Sequence, residues 1–245
     1  MRTVYLTDGS KAGFFTAVFE GYSDENAYLT ANRDFQPRLF DTFVEVKTDE
    51  EKAKRVLKKL YSLSLQGAKE VDGVLRSEEE EKEQTAFSYV KLLVKYGASA
   101  RNRLTDPIVR KALDSSGRVW TEAHRMKGFL RFMETETGVL YAPFSPDNDI
   151  VELIMPHFAR RLQGKPFLVH DTRRKIAGAF NGTEWILLPA GEAEIVLSDR
   201  EEAFASLWKK YYRTVSIPTR PNARQQKNYM PVRYWGYLTE RPWEE

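Results

Sequence analysis

Cysteine is absent from all 245 residues. Disulfides, thiolate nucleophiles, cysteine-ligated zinc and iron–sulfur clusters therefore have no ligands in this chain. Histidine is scarce as well. His124, His157 and His170 are far apart and none stands in an H-E-x-x-H spacing, so no metal site is expected. No apolar run approaches the roughly 20 residues that cross a bilayer. The first residues, Met1-Arg2-Thr3-Val4-Tyr5-Leu6-Thr7-Asp8, lack the apolar core and small-residue cleavage site of a signal peptide. A cytoplasmic protein with no membrane partner is expected. Walker A, G-x-G-x-x-G and G-x-S-x-G patterns are missing too, so no nucleotide-cradling loop, nucleophile elbow or cofactor is predicted. Carboxylates are plentiful, but none has sequence context that would tune its pKa, and no catalytic residue is nominated.

What is present is a foldable, well-solvated chain: 42% hydrophobic and 30% charged residues, with a formal net charge of +3. The charge is unevenly spread. Between Ala205 and Leu238 stand Lys209, Lys210, Arg213, Arg220, Arg224, Lys227 and Arg233, with no Asp or Glu. Acids gather earlier, at Glu78, Glu79, Glu80, Glu81 and Glu83. A basic stretch without acids is either an ordinary basic surface or an electrostatic footprint for a polyanion.

Periodicity predicts an α+β fold. Thr3–Thr7 and Phe40–Lys47 read as strands, and Phe14, Phe15, Val18 and Phe19 as a helix between them. Thr48 with Glu51, and Ser77 with Glu80, fit capping boxes for two further helices. The glutamate run then occupies a first helical turn, where the helix dipole favours negative charge. Asp106-Pro107 starts another helix. After Gly128 the pattern changes. Phe129–Glu134, Val139–Phe144, Phe167–His170, Lys175–Phe180 and Thr183–Leu188 read as strands, the last two joined by the hairpin signal Asn181-Gly182. Asp149–Leu162 reads as a helix carrying Pro156. Ser198 with Glu201 fits a cap for a final helix that bears Phe204, Leu207, Trp208 and Tyr211 on one stripe. The expected organisation is a mainly helical N-terminal part, 1–105, packed on a C-terminal part, 106–245, with antiparallel strands and helices, or one continuous domain. The boundary falls around Ser99–Ser116.

Candidate functional residues concentrate in the second part. His124 stands beside Lys127 and Arg131, a grouping suited to a phosphate or base, although a surface histidine at a helix end explains it equally well. His157, Arg160 and Arg161 close a helix, where cations complement the dipole and also suit phosphates. The stretch Arg220-Pro-Asn222-Ala-Arg224-Gln-Gln226-Lys-Asn-Tyr-Met230-Pro-Val-Arg233-Tyr234-Trp235 mixes guanidinium groups, amides and rings. Such groups bind phosphates and base edges, and rings stack on unpaired bases. The other reading is a C-terminal tail that seals the domain, with Tyr234 and Trp235 as packing anchors.

Several stretches together carry a resemblance: Tyr5-Leu-Thr-Asp8-Gly9 through Phe14 to Tyr22; Glu122-Ala-His124-Arg-Met-Lys-Gly-Phe-Leu-Arg131-Phe132; Tyr141-Ala-Pro-Phe-Ser-Pro146; Ile150 through Phe158 to Arg161; Leu207-Trp208-Lys-Lys-Tyr-Tyr212; Arg220 to Trp235; and Leu238-Thr-Glu240. In them the chain resembles a family of DNA metabolism or DNA repair proteins known as domain of unknown function 4130. Members of that family come paired with a radical SAM protein resembling a DNA photoproduct lyase, and a similar domain is fused to uracil-DNA glycosylase-like domains. The resemblance implies DNA and a radical SAM DNA repair protein as partners, with the cluster chemistry in the partner. It assigns no residue roles. The leading expectation is an accessory DNA-binding protein using His124, Lys127, Arg131, Arg161, Trp208, Arg220, Asn222, Arg224, Gln226 and Arg233. The alternatives are a base-excising, glycosylase-like hydrolase, with His124 and Glu122 or Asp171 at its centre, and a pure protein–protein adaptor.

Overall fold

Thr3–Leu6 forms β1, whose Val4 is fully buried, and Gly9, at φ +81°, turns the chain into α1, Lys11–Gly21. The computed structural model describes residues 1–191, 195–215 and 223–239, and the chain divides into two units, Met1–Thr121 and Glu122–Glu245.

In the first unit α1 is followed by β2 (Ala27–Thr30) and β3 (Thr42–Glu45). The sheet has the order β2-β1-β3, and β1 pairs in parallel with both neighbours. Parallel neighbours need a crossover, and α1 supplies the one from β1 to β2. In sheets of this kind ligands bind beyond the strand ends where the order reverses. Here Asp8 occupies that position. Its carboxylate accepts from Ser10 N at 2.9 Å, Ser10 Oγ at 2.7 Å and Thr48 Oγ1 at 2.8 Å. An acid there repels anionic phosphate, in keeping with the missing glycine-rich loop.

Helices complete the unit: α2 (Glu50–Leu63), α3 (Leu65–Arg76), α4 (Lys82–Tyr96), a 3₁₀ segment (Gly97–Asn102) and α5 (Pro107–Phe129), which supplies residues to both units. Neither β2 nor α3 stands out in the sequence pattern. β2 has only four residues, and the apolar stripe of α3 is diluted by Gly67 and Gly73. Both expected capping boxes differ in the structure. Asp49, not Thr48, caps α2, accepting from Glu51 N at 2.9 Å and Lys52 N at 3.0 Å, because Thr48 is engaged by Asp8. Ser77 ends α3 by donating to Val74 O at 2.7 Å, and α4 begins only at Lys82. The glutamates between them serve as ion partners for α5: Glu79 pairs with Arg118, and Glu81 with Lys111 at 3.5 Å.

The second unit is α+β around a five-stranded sheet, β4-β5-β6-β7-β8. Its strands are β4 (Met133–Glu134), β5 (Leu140–Phe144), β6 (Phe167–Asp171), β7 (Ile176–Phe180) and β8 (Trp185–Pro189). All neighbours are antiparallel except β5 and β6, which are joined through α6 (Val151–Arg161). The stretch read as a strand from Phe129 shrinks to two residues, because α5 runs on through Phe129 and Leu130 N still bonds Met126 O at 3.1 Å. Asn181-Gly182 does turn the β7–β8 hairpin: Asn181 Oδ1 accepts from Thr183 N and Glu184 N, and Gly182 takes φ +103°. Then follow α7 (Asp199–Val215), α8 (Ala223–Tyr229) and a 3₁₀ turn (Val232–Tyr237). Ser198 precedes α7 as expected, but its hydroxyl has no hydrogen-bond partner among the described residues. Glu201 accepts from Glu134 N at 2.8 Å, so it ties α7 to β4 and not to its own cap. Among the described residues no helix is long and apolar enough to cross a membrane.

Two glycines of the first unit predict opposite responses to alanine. A Cβ on Gly73 in α3 would lie within 3.0 Å of the Ser116 backbone and against its side chain, whereas one on Gly117 in α5 meets nothing within 4 Å. Overpacking costs about 1–3 kcal/mol and outweighs the helix propensity gained. Gly73→Ala is therefore expected to lower the urea midpoint, and Gly117→Ala to raise stability by about 0.4–1 kcal/mol. A stabilised Gly73→Ala would show that the α3–α5 contact is loose.

Candidate nucleic-acid interface

Glu122 stands in α5 with its side chain buried, at 5% exposure. A carboxylate taken out of water must be met by hydrogen bonds or stay neutral. Both oxygens are met. Oε1 accepts from Asp147 N at 2.8 Å and Tyr234 Oη at 2.5 Å; Oε2 accepts from Asn148 N at 2.9 Å and Asn148 Nδ2 at 2.6 Å. Burial and this carboxylate push the Tyr234 phenol well above the ordinary tyrosine range, so it remains a donor. Arg233 closes the ring: its Nη2 donates to Tyr234 Oη at 3.0 Å and pairs with Asp147 Oδ2 at 2.7 Å.

The same loop between β5 and α6 is gripped from the other side. Arg174 donates to Pro146 O at 3.1 Å and to Asp147 O, and pairs at 3.0 Å with the fully buried Asp171. Asp171 also accepts from Arg173 N at 3.0 Å and Arg174 N at 3.1 Å. Tyr237 and Thr172 share a hydrogen bond at 3.1 Å, and Trp235 Nε1 donates to Met230 O at 2.9 Å. Tyr234 and Arg233 are thus tied into the fold. Glu122 and His124 stand two residues apart on a helix and face different ways: Glu122 is buried and engaged, His124 is exposed. The geometry does not join them as an acid–base pair.

The cations collect at the C-terminal end of α5. Lys127 is half-buried there, and its charge acts on His157 of α6 together with those of Arg161 and Arg160. Burial, then these three cations, hold the His157 imidazole below its ordinary value. The His157 ring meets Phe158 edge-on at 5.0 Å, and its buried Nε2 has no hydrogen-bond partner among the described residues. Among the described residues no carboxylate pairs with Lys127, Arg160 or Arg161. Arg131 follows directly. Its Nη1 donates to Gly128 O at 3.0 Å and Phe129 O at 3.3 Å, closing α5, and its guanidinium lies 5.3 Å from the Trp208 ring. Trp208 in turn packs on Tyr211 at 5.5 Å, and both rings are exposed.

The structure therefore brings Lys127, Arg131, Arg161 and Trp208 to one end of α5, with His124 on the exposed side of the same helix. Arg233 belongs to the Glu122 network. Arg224 and Lys227 are exposed on α8, three residues apart. Arg220 and Asn222 lie outside the described residues, as does the side chain of Gln226. Asp147 and Asn148 carry no sequence signal, since their contacts with Glu122 span 25 or more residues. Arg174 stands in a basic stretch, Arg173-Arg174-Lys175, that suits phosphates by sequence, yet the structure ties it to Asp171 and the Pro146 and Asp147 carbonyls. His157 with Arg160 and Arg161 could be found from i, i+3, i+4 spacing, but their meeting with Lys127 could not.

A family model described as "Domain of unknown function (DUF4130)" matches residues 80–240, which include this whole constellation. No curated protein and no solved structure matches the chain.

Removing the buried charge tests the network. Glu122→Gln turns an acceptor toward four donors into a group that is half donor, at an expected cost of about 2–4 kcal/mol in urea unfolding. Tyr234→Phe should cost about 1–2 kcal/mol, and the double variant less than the sum, because the two act as one unit. Additive losses would mean that the two side chains do not depend on each other.

Proposed function

Because the chain belongs to the DUF4130 family of unknown function, we propose that it is a DNA-binding accessory protein of DNA repair, acting beside a radical SAM enzyme. One observation carries the DNA-binding part: three cations at the ends of two helices, Lys127, Arg160 and Arg161, that pair with no carboxylate among the described residues and whose charges all act on one half-buried histidine. Like charges brought together repel, and that repulsion costs stability unless a counter-charge is bound. A phosphate backbone supplies one and releases its own counterions in doing so. The Arg131 guanidinium lies against Trp208, which packs on Tyr211, at the same end of α5, and such exposed rings are the groups on which an unpaired base stacks. The radical SAM partner is supported by the family resemblance and by the division of chemistry it requires. With no cysteine, this chain has no thiolate ligands for an iron–sulfur cluster.

Fluorescence anisotropy with labelled single- and double-stranded DNA, titrated across salt, tests this. Binding should weaken linearly in log–log form. Lys127→Glu/Arg161→Glu should weaken it at least tenfold and reduce the slope by about 2, at roughly 0.9 per phosphate contact. Affinity that ignores salt, or that the double variant retains, would sink the reading.

His157 adds a pH signature. In the free protein its pKa is depressed, so its stabilising contribution is present above the ordinary histidine range and lost as pH falls through the lowered value. A bound phosphate reverses the local field and raises that pKa. Binding therefore takes up a proton, and DNA affinity should increase as pH falls from about 8 to about 6. His157→Gln should flatten this dependence; an unchanged profile would place the phosphates away from His157.

A further inference from the structure

The first unit carries a groove of ≈ 350 Å³ between α1, α2 and α4. Its floor is aliphatic, built from residues such as Val56, Leu60 and Val90, and its rim exposes Phe19, Tyr22 and Val94 at 39%, 41% and 36%. Large apolar side chains gathered in one exposed depression, and not scattered, mark a contact surface. The charged residues that line it, Arg55 and Lys59, have one sign. α2 places Lys52, Lys54, Arg55, Lys58 and Lys59 within eight residues. Lys52 is paired with Glu20 at 2.8 Å and Lys54 with Glu51 at 3.2 Å. Arg55 and Lys59 line the groove, are exposed, and have no ion-pair partner among the described residues. Among the described residues no carboxylate lines it.

We propose that this groove docks an acidic amphipathic segment of a partner protein, with aliphatic side chains at helical spacing entering the floor and carboxylates meeting Arg55 and Lys59. An apolar stripe flanked by charge is how a helix is read in a groove of this kind. The opposite-sign rim sets its orientation. Nucleic acid fits less well. An aliphatic floor offers no partners for base edges, and the Phe19 ring is already covered by Arg55 at 5.1 Å and Lys52 at 5.8 Å. The proposal does not rest on DNA binding, whose candidate residues lie elsewhere in the sequence, from 124 onward.

Selection of a random 16-residue peptide display library against the full-length protein tests it. Enriched peptides should share apolar residues at i, i+3 or i+4, and i+7, carry net negative charge, and bind Arg55→Glu/Lys59→Glu at least tenfold more weakly. Both positions are exposed, so an unchanged thermal midpoint should accompany that loss, and Val94→Ser, at the rim, which removes apolar contact without adding charge, should weaken binding independently. Absence of enrichment, or enriched peptides without acidic bias or indifferent to these variants, would overturn the proposal. So would displacement of the peptides by oligothymidylate together with loss of oligothymidylate affinity in the double variant, which would assign the groove to nucleic acid.

Discussion

A carboxylate buried in a folded chain has to be surrounded by donors, and in the second unit that requirement, at Glu122, organises everything near it. Its four hydrogen bonds come from the loop after β5 and from the C-terminal 3₁₀ turn. Those donors are 25, 26 and 112 residues away in the chain, so a single carboxylate draws two distant segments to α5. Arg174 and Asp171 reinforce the same loop from the opposite side. The first unit repeats the device independently. Glu70, at 3% exposure, accepts from Tyr89 Oη at 2.5 Å, Arg101 Nε at 3.1 Å and Gln66 Nε2 at 3.1 Å. Burial and this acid also hold the Tyr89 phenol far above its ordinary range, as a permanent donor.

Helical geometry then separates structure from surface. On α5 the buried residues Glu122, Ala123 and Met126 turn one way. His124 and Lys127, three residues apart, turn another, and Arg131 continues their stripe beyond the helix end. The inward face uses its charge up in hydrogen bonds. The outward face gathers positive charge, and among the described residues no carboxylate pairs with Lys127 or with Arg160 and Arg161, the cations that end α6. Acids are not lacking in the chain, but they are placed where they serve the fold: Asp8 over the start of α1, Glu79 and Glu81 against α5, Glu201 against β4. The cationic character of the two proposed contact surfaces results from that allocation rather than from the small net charge.

Much of this was legible in one dimension. The absence of cysteine removed a whole branch of chemistry. Hydrophobic period separated the helices from most of the strands, Asn181-Gly182 announced its hairpin, Asp106-Pro107 its helix, and the α+β class followed. These are local properties, set by φ/ψ preference and by side chains a few residues apart. Tertiary structure alone decided the rest. It made the first three strands parallel, which no local signal encodes. It gave the cap of α2 to Asp49 because Thr48 was needed by Asp8 across the fold. It turned Tyr234 inward to Glu122 and tied the exposed Arg233 to Tyr234 and Asp147, and it brought the charge of Lys127 to bear on His157. Each of these outcomes depends on a charge or hydroxyl finding a partner far along the chain, and such pairings exist only once the backbone has closed.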